Sequence, residues 1–209
     1  ATIAPRNHPA VIQKPVFQLP PLALYVHIPW CVRKCPYCDF NSHAAGPNLP
    51  EEAYVDALLA DLDSDLQQAY GRPLTSIFFG GGTPSLFSAK ALGRLLEGVE
   101  RRIPFAGDIE ITLEANPGTF EQEKFAAYRR LGINRLSIGV QSFQAEKLKA
   151  LGRIHDGDEA VRAADMARAA GFDNFNLDLM HGCRISPWRT PWATCASPSP
   201  RPVSYTHLT

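Results

Sequence analysis

Between residues 22 and 182, five short β-type runs alternate with helical patterns, and this alternation limits the fold more than any other feature. Leu22–Ile28 (LALYVHI) is an apolar run that stops at Pro29. Residues 75–79 (TSIFF) are closed by Gly80, Gly81 and Gly82. Residues 108–113 (DIEITL), 134–140 (NRLSIGV) and 172–179 (FDNFNLDL) complete the set. Helical spacing of apolar residues fills the gaps at 51–69, 88–101, 119–131 and 158–170, and Gly132 and Gly171 stand at stop positions. The stretch 31–48 reads as a loop. Strands separated by single helices predict a parallel sheet of βαβ units.

Two architectures satisfy that order, a doubly wound sheet and a (β/α) barrel, and periodicity does not separate them. The placement of polar residues does. Candidates recur just after each strand, at Cys31, Gly81, Glu114, Gln141 and Asp178. A barrel gathers all strand C-termini on one face, whereas a doubly wound sheet joins only those at its switch point. The expected fold is therefore α/β, a partial (β/α) TIM-type barrel with parallel strands, truncated after about the fifth strand.

Charge divides the chain into three segments. The whole balances 21 basic against 21 acidic residues. Segments 1–21 and 183–209 hold 2 and 3 of the basic residues, none of the acidic ones and 5 Pro each. The segment 22–182 keeps 16 basic against 21 acidic, a net charge of −5. That sign argues against non-specific nucleic-acid binding, which needs a cationic surface. No apolar run approaches the roughly 18 residues of a membrane span, and no apolar h-region marks a secretory signal. The first segment reads as a flexible, Pro-rich lead. The last has no sustained period and is expected to be irregular. It opens Cys-Arg, which is what a Leu-Pro pair written CTG-CCG encodes when read one base late. A frameshifted or otherwise non-native tail is expected, against the alternative of a genuine Pro-rich linker. A sheet that stopped at its fifth strand would leave that strand's edge unpaired.

Three of the five cysteines fall within eight residues, as Cys31-Val-Arg-Lys-Cys35-Pro-Tyr-Cys38. An odd, clustered set does not resemble a secreted disulfide framework, and a cytoplasmic setting is expected. Three thiolates on one loop can each hold one iron of a cubane cluster, leaving the fourth iron open to an outside chelator. A structural zinc site is the alternative, with His27 or His43 completing the ligand set, although the spacing is unusual for zinc.

YVHIPWCVRKCPYCDF resembles the cluster loop of radical S-adenosylmethionine (SAM) enzymes, and more narrowly that of the oxygen-independent coproporphyrinogen III oxidase-like group. FFGGGTPS, EITLEANP, RLSIGVQSF and NLDLMHG follow in the order of that group, so the resemblance spans 22–182. It implies a [4Fe–4S] cluster on Cys31, Cys35 and Cys38 at the mouth of the barrel. It also implies that SAM chelates the open iron and is cleaved by one electron to methionine and a 5′-deoxyadenosyl radical, so an electron donor is required. The SAM contacts it implies are Tyr25 on the first strand, Tyr37 near the adenine, Gly81, Gly82 and Thr83 at the methionyl end, and Glu114, Gln141, Arg153 and Asp178. Carboxylate and guanidinium groups suit the ammonium and carboxylate of SAM.

The position two after the third cysteine discriminates within the group. The coproporphyrinogen oxidases carry a further Cys there; this chain has Phe40. CPYCDF instead resembles the heme chaperone branch, whose implied partners are heme or porphyrin and respiratory heme-protein acceptors. In that branch heme is recognised by a histidine-containing motif further along, beyond the matched residues. The expected function is heme chaperone-like, acting in heme and porphyrin metabolism; the alternative is oxidative decarboxylation of coproporphyrinogen III.

Overall fold

A computed structural model describes residues 18–119 and 121–180, together with the backbone of one further strand, 204–208. The elements run β1 (Leu22–Ile28), β2 (Trp30–Cys31), β3 (His43–Ala44), α1 (Glu51–Asp65), β4 (Leu74–Gly81), α2 (Ala89–Glu100), β5 (Phe105–Ala115), α3 (Gln122–Arg130), β6 (Arg135–Gln141), α4 (Ala145–Ala150), α5 (Gly157–Ala169), β7 (Asn174–Met180) and β8 (Ser204–Leu208).

The main sheet has the order β1-β4-β5-β6-β7-β8, and every neighbouring pair is parallel. Each new strand adds to the same side of the sheet. There is no point where the order reverses, and such a reversal defines a doubly wound sheet. Repeated right-handed crossovers in one direction curl the sheet toward a barrel. The fold is thus the expected partial TIM-type barrel, now decided by strand order.

One face of the sheet carries the core. Val26, Ile28, Ile77, Phe79, Ile111, Leu113, Leu136, Ile138, Val140, Leu177 and Leu179 alternate along their strands and are buried with Leu92, Leu95 and Val99 of α2, Phe125 and Tyr128 of α3, and Ala160, Ala163 and Ala167 of α5. Helix α2 begins at Ser88, whose Oγ accepts from the Ala91 N–H at 3.1 Å. Helix α5 begins with a reciprocal capping box between Asp156 and Glu159, at 2.7 and 2.8 Å. The alternate residues of the strands face the other way and are largely polar. Among them, Glu114 lies beside Ser137 and Ser137 beside Asn176 in the strand register.

Three sequence expectations change. The loop 31–48 contains a short parallel pair, Trp30–Cys31 with His43–Ala44, too brief for periodicity to reveal. Helix α4 follows β6 where no helix was expected, because its six residues span less than two turns. The tail is not wholly irregular: Ser204–Leu208 pairs with Asn176 through Met180, so the β7 edge is covered. The physical reason is the open edge itself, whose N–H and C=O groups accept any extended segment within reach. The remaining tail residues, Cys183 and Cys195 included, lie outside the described residues, as does 1–17.

Candidate functional site

The C-terminal ends of β4, β5, β6 and β7, with the thiol loop that follows β1, open into one cleft of about 430 Å³. Eleven of the twelve expected site residues line it: Cys31, Cys35 and Cys38; Tyr37; Gly81, Gly82 and Thr83; and Glu114, Gln141, Arg153 and Asp178. Tyr25 is outside this lining. It stands on β1, 57% exposed, with its hydroxyl 3.1 Å from His27 Nδ1 and its ring stacked on Phe78. Burial, and secondarily the Glu114 charge, raise its phenol pKa, so it remains electrostatically coupled to the cleft.

The thiol loop is anchored by backbone. Gly82 N–H donates to Ile28 O at 2.8 Å and Thr83 N–H to Trp30 O at 2.7 Å, which ties the end of β4 to the start of the loop. A Cβ on Gly82 would lie 2.6 Å from Trp30 O, so only glycine permits this approach. Gly81 adopts φ +114°, and a Cβ there would meet the His27 ring at 2.6 Å. Within the loop, Cys38 N–H donates to Cys35 O at 3.1 Å. Burial raises the Cys31 thiol pKa, the neighbouring Cys38 and Cys35 add to the rise, and the Thr83 and Ser42 hydroxyls oppose it.

His27 Nε2 is 2.8 Å from Asn41 O, and its other ring nitrogen meets Tyr25. Among the described residues no three His, Cys, Asp or Glu side chains converge as a single metal ion would require. A cubane makes a different demand, because each of three thiolates takes its own iron.

Arg153, just after α4, crosses the cleft. Its Nη2 donates to Gly139 O at 2.6 Å, and its Nη1 to Tyr37 Oη at 3.4 Å and Cys35 Sγ at 3.5 Å. Its Nε is buried without a partner among the described residues. Burial pushes the Tyr37 phenol up to about 12, against the pull of Arg153. Gln141 ends β6 at φ +65°, unusual for a residue with a side chain, and is 8% exposed. Its Oε1 also lacks a partner among the described residues. Strained backbone and orphaned polar atoms at one cleft are a recognised mark of a binding site.

Two carboxylates, Glu114 of β5 and Asp178 of β7, line the cleft on either side of β6. Glu114 Oε2 accepts from Gly81 N–H at 3.2 Å. Burial first, then the Asp178 charge, push Glu114 up to about 7. Asp178 accepts from Ser137 Oγ at 2.8 Å and Asn176 Nδ2 at 2.6 Å. Burial raises its pKa too, but these two bonds and the Arg135 charge oppose the rise.

Sequence reasoning missed Ser137, Gly139 and Asn116 in the lining and Asn176 and Arg135 behind it. The signal was present. Ser137 and Gly139 share the Gln141 face, and Asn176 shares the Asp178 face, at the two-residue period of a strand.

The donor set suits an iron–sulfur cluster with an amino-acid-like ligand: three thiols on one loop, two carboxyls for a cation, and a guanidinium for a carboxylate.

The family model for the Radical SAM superfamily matches residues 25–191. The chain is 61% identical over 165 residues to the heme chaperone HemW of Escherichia coli strain K12, and 56% identical over 169 residues to that of Haemophilus influenzae. Each match takes in 79% of this chain and 44% of the relative. The chain therefore spans less than half the length of these relatives. Among solved structures, the coproporphyrinogen III oxidase HemN of Escherichia coli superposes with a TM-score of 0.71 at 32% identity, over 78% of this chain and 38% of that one.

Proposed function

The chain belongs to the radical SAM superfamily, and on that footing we propose that it holds a [4Fe–4S] cluster and SAM and serves as a heme chaperone-like protein. The observation that carries this reading is the convergence of Cys31, Cys35 and Cys38 with Arg153, Glu114 and Asp178 on one cleft. The three thiols would bind the cluster. Glu114 and Asp178 offer acceptors to the cationic and hydroxyl groups of SAM, and Arg153 offers donors to its carboxylate. Gly81 and Gly82 let backbone approach the methionyl end, and Tyr37 and Gln141 close the adenosyl side. When bound, the cluster supplies one electron at low potential and SAM a cleavable sulfonium bond.

The residues themselves bind, orient and hold charge. Glu114, poised near pH 7, releases its proton as a cation enters. Heme or porphyrin is the proposed cargo, heme proteins of respiration the acceptors, and a separate protein the electron donor, in a cytoplasmic setting. Among the described residues no helix is long and apolar enough to cross a membrane.

Two considerations favour the chaperone over the decarboxylase. Phe40, 63% exposed on the cleft rim, stands where the oxidase pattern has a fourth Cys. The two relatives quoted above at more than half identity are named heme chaperones, whereas HemN is 32% identical.

Anaerobic reconstitution with iron and sulfide, followed by heme titration and product analysis, tests the proposal. Cluster uptake by the wild type, loss of uptake in the Cys31→Ala, Cys35→Ala, Cys38→Ala triple variant and stoichiometric heme binding are expected. Formation of protoporphyrinogen would overturn the chaperone reading. A cubane cluster in the triple variant would overturn the site.

A further inference from the structure

From behind the cleft to its lining, four side chains on β6 and β7 form a hydrogen-bonded series with a forced direction. Arg135 Nη2 donates to Asn176 Oδ1 at 2.7 Å. Asn176 Nδ2 donates to Ser137 Oγ at 3.1 Å and to Asp178 Oδ1 at 2.6 Å. Ser137 Oγ donates to Asp178 Oδ2 at 2.8 Å. A guanidinium cannot accept and an ionised carboxylate cannot donate, so both ends of the series are fixed. The Asn176 amide must then present oxygen to Arg135 and nitrogen to Asp178. The Ser137 hydroxyl, already an acceptor, must turn its proton to Asp178. Asn176 is 2% exposed and Ser137 7%, so water does not compete with these bonds.

We propose that Arg135, Asn176 and Ser137 are positioning residues, a one-way relay that fixes the Asp178 carboxylate as an acceptor for a hydroxyl or ammonium group of the ligand in the cleft. The inference rests on the reading that Asp178 touches that ligand. Each Asp178 oxygen takes one bond from the relay and keeps a lone pair for the cleft, which it lines. Glu114 on β5, beyond β6, is the contrast. It receives one bond, from Gly81 N–H. The relay therefore divides labour between two carboxyls that line one cleft: Asp178 is the fixed acceptor, and Glu114 carries the variable proton. The charged groups facing Asp178 are Arg135 and Glu114, of opposite sign. Burial raises both carboxyls, Glu114 to about 7, but at Asp178 the two relay bonds and the Arg135 charge oppose the rise.

The test uses the full chain, reconstituted with iron and sulfide, and SAM as the probe in equilibrium dialysis. Ser137→Ala and Arg135→Met are each expected to weaken SAM binding about tenfold, the worth of one charge-assisted bond. Neither should weaken it further when combined with Asp178→Asn, and Ser137→Thr should retain binding. Losses fully additive with Asp178→Asn would mean a merely structural role and overturn the relay. A second arm needs no SAM: the Asp178 carboxyl is titrated by ¹³C NMR in ligand-free protein. Ser137→Ala should raise its midpoint, and an unchanged midpoint overturns the relay. If the midpoint moves but the wild type binds no SAM, the relay stands and the functional reading falls.

Discussion

Arg153 and Cys35, 118 positions apart in sequence, are joined by a guanidinium N–H donated to Sγ at 3.5 Å. The same guanidinium reaches Gly139 O on β6, so one side chain braces the thiol loop against the sheet. Donors to a cluster's sulfur, and positive charge beside it, stabilise the reduced form. In the reconstituted protein Arg153→Gln is expected to lower the reduction potential. The shift should be on the order of 50 mV, the one-electron equivalent of about 1 kcal/mol. Potentiometric titration followed by electron paramagnetic resonance measures it, and an unchanged potential would show that the contact does not persist around a cluster.

Glu114 links pH to stability with an unusual sign. Its folded pKa of about 7 lies above the ordinary 4.5 because burial disfavours its charge. Between those values the folded state binds more protons than the unfolded state, so stability falls as pH rises through the window. The contribution is at most about 3 kcal/mol. Glu114→Gln should remove it. Urea unfolding at pH 5 and pH 8 should show the wild type losing more stability than the variant; equal losses would place the Glu114 pKa at its ordinary value.

Gly82→Ala should separate β4 from the thiol loop. The new methyl would lie 2.6 Å from Trp30 O and 2.8 Å from the Pro29 carbonyl carbon, and backbone cannot swing away as a side chain can. A loss of about 2 kcal/mol is expected from this overpacking, with reduced retention of reconstituted iron. Wild-type stability and iron content in this variant would refute the anchoring role.

Tyr128 holds the turn that follows Thr83. Its fully buried hydroxyl is shared between Ser85 O at 3.0 Å and Phe87 O at 2.6 Å. Tyr128→Phe leaves those carbonyls short of a donor and should cost about 2 kcal/mol. Urea denaturation measures it, and a change below about 0.5 kcal/mol would mean that other donors replace the hydroxyl.

The surface pairs between α1 and α2 call for the opposite expectation. Arg94 with Asp56 and Lys90 with Glu52 are solvent-exposed. Replacing Lys90 by Ala should change stability by less than about 1 kcal/mol, a limit the same unfolding measurement can exceed or respect.

Much of the molecule was legible in its residues because local chemistry dictates it. The run LALYVHI ended by proline set the first strand at both ends, Leu22–Ile28. The thiol spacing and the polar residues after each strand marked one face of the barrel, and eleven of twelve candidates meet there. These follow from periodicity and from connections that return every strand in the same direction. Other features depend on residues distant in sequence, and only the tertiary structure decided them. Strand order separated a barrel from a doubly wound sheet. The open edge of β7 recruited Ser204–Leu208. The Arg153 brace joins the segment after α4 to the thiol loop, and the Arg135–Asn176–Ser137–Asp178 relay exists because the sheet register sets side chains of neighbouring strands beside each other. The charge of Glu114 was undecided for the same reason: its residue type gives a carboxyl, but burial and the neighbouring Asp178 decide when it ionises.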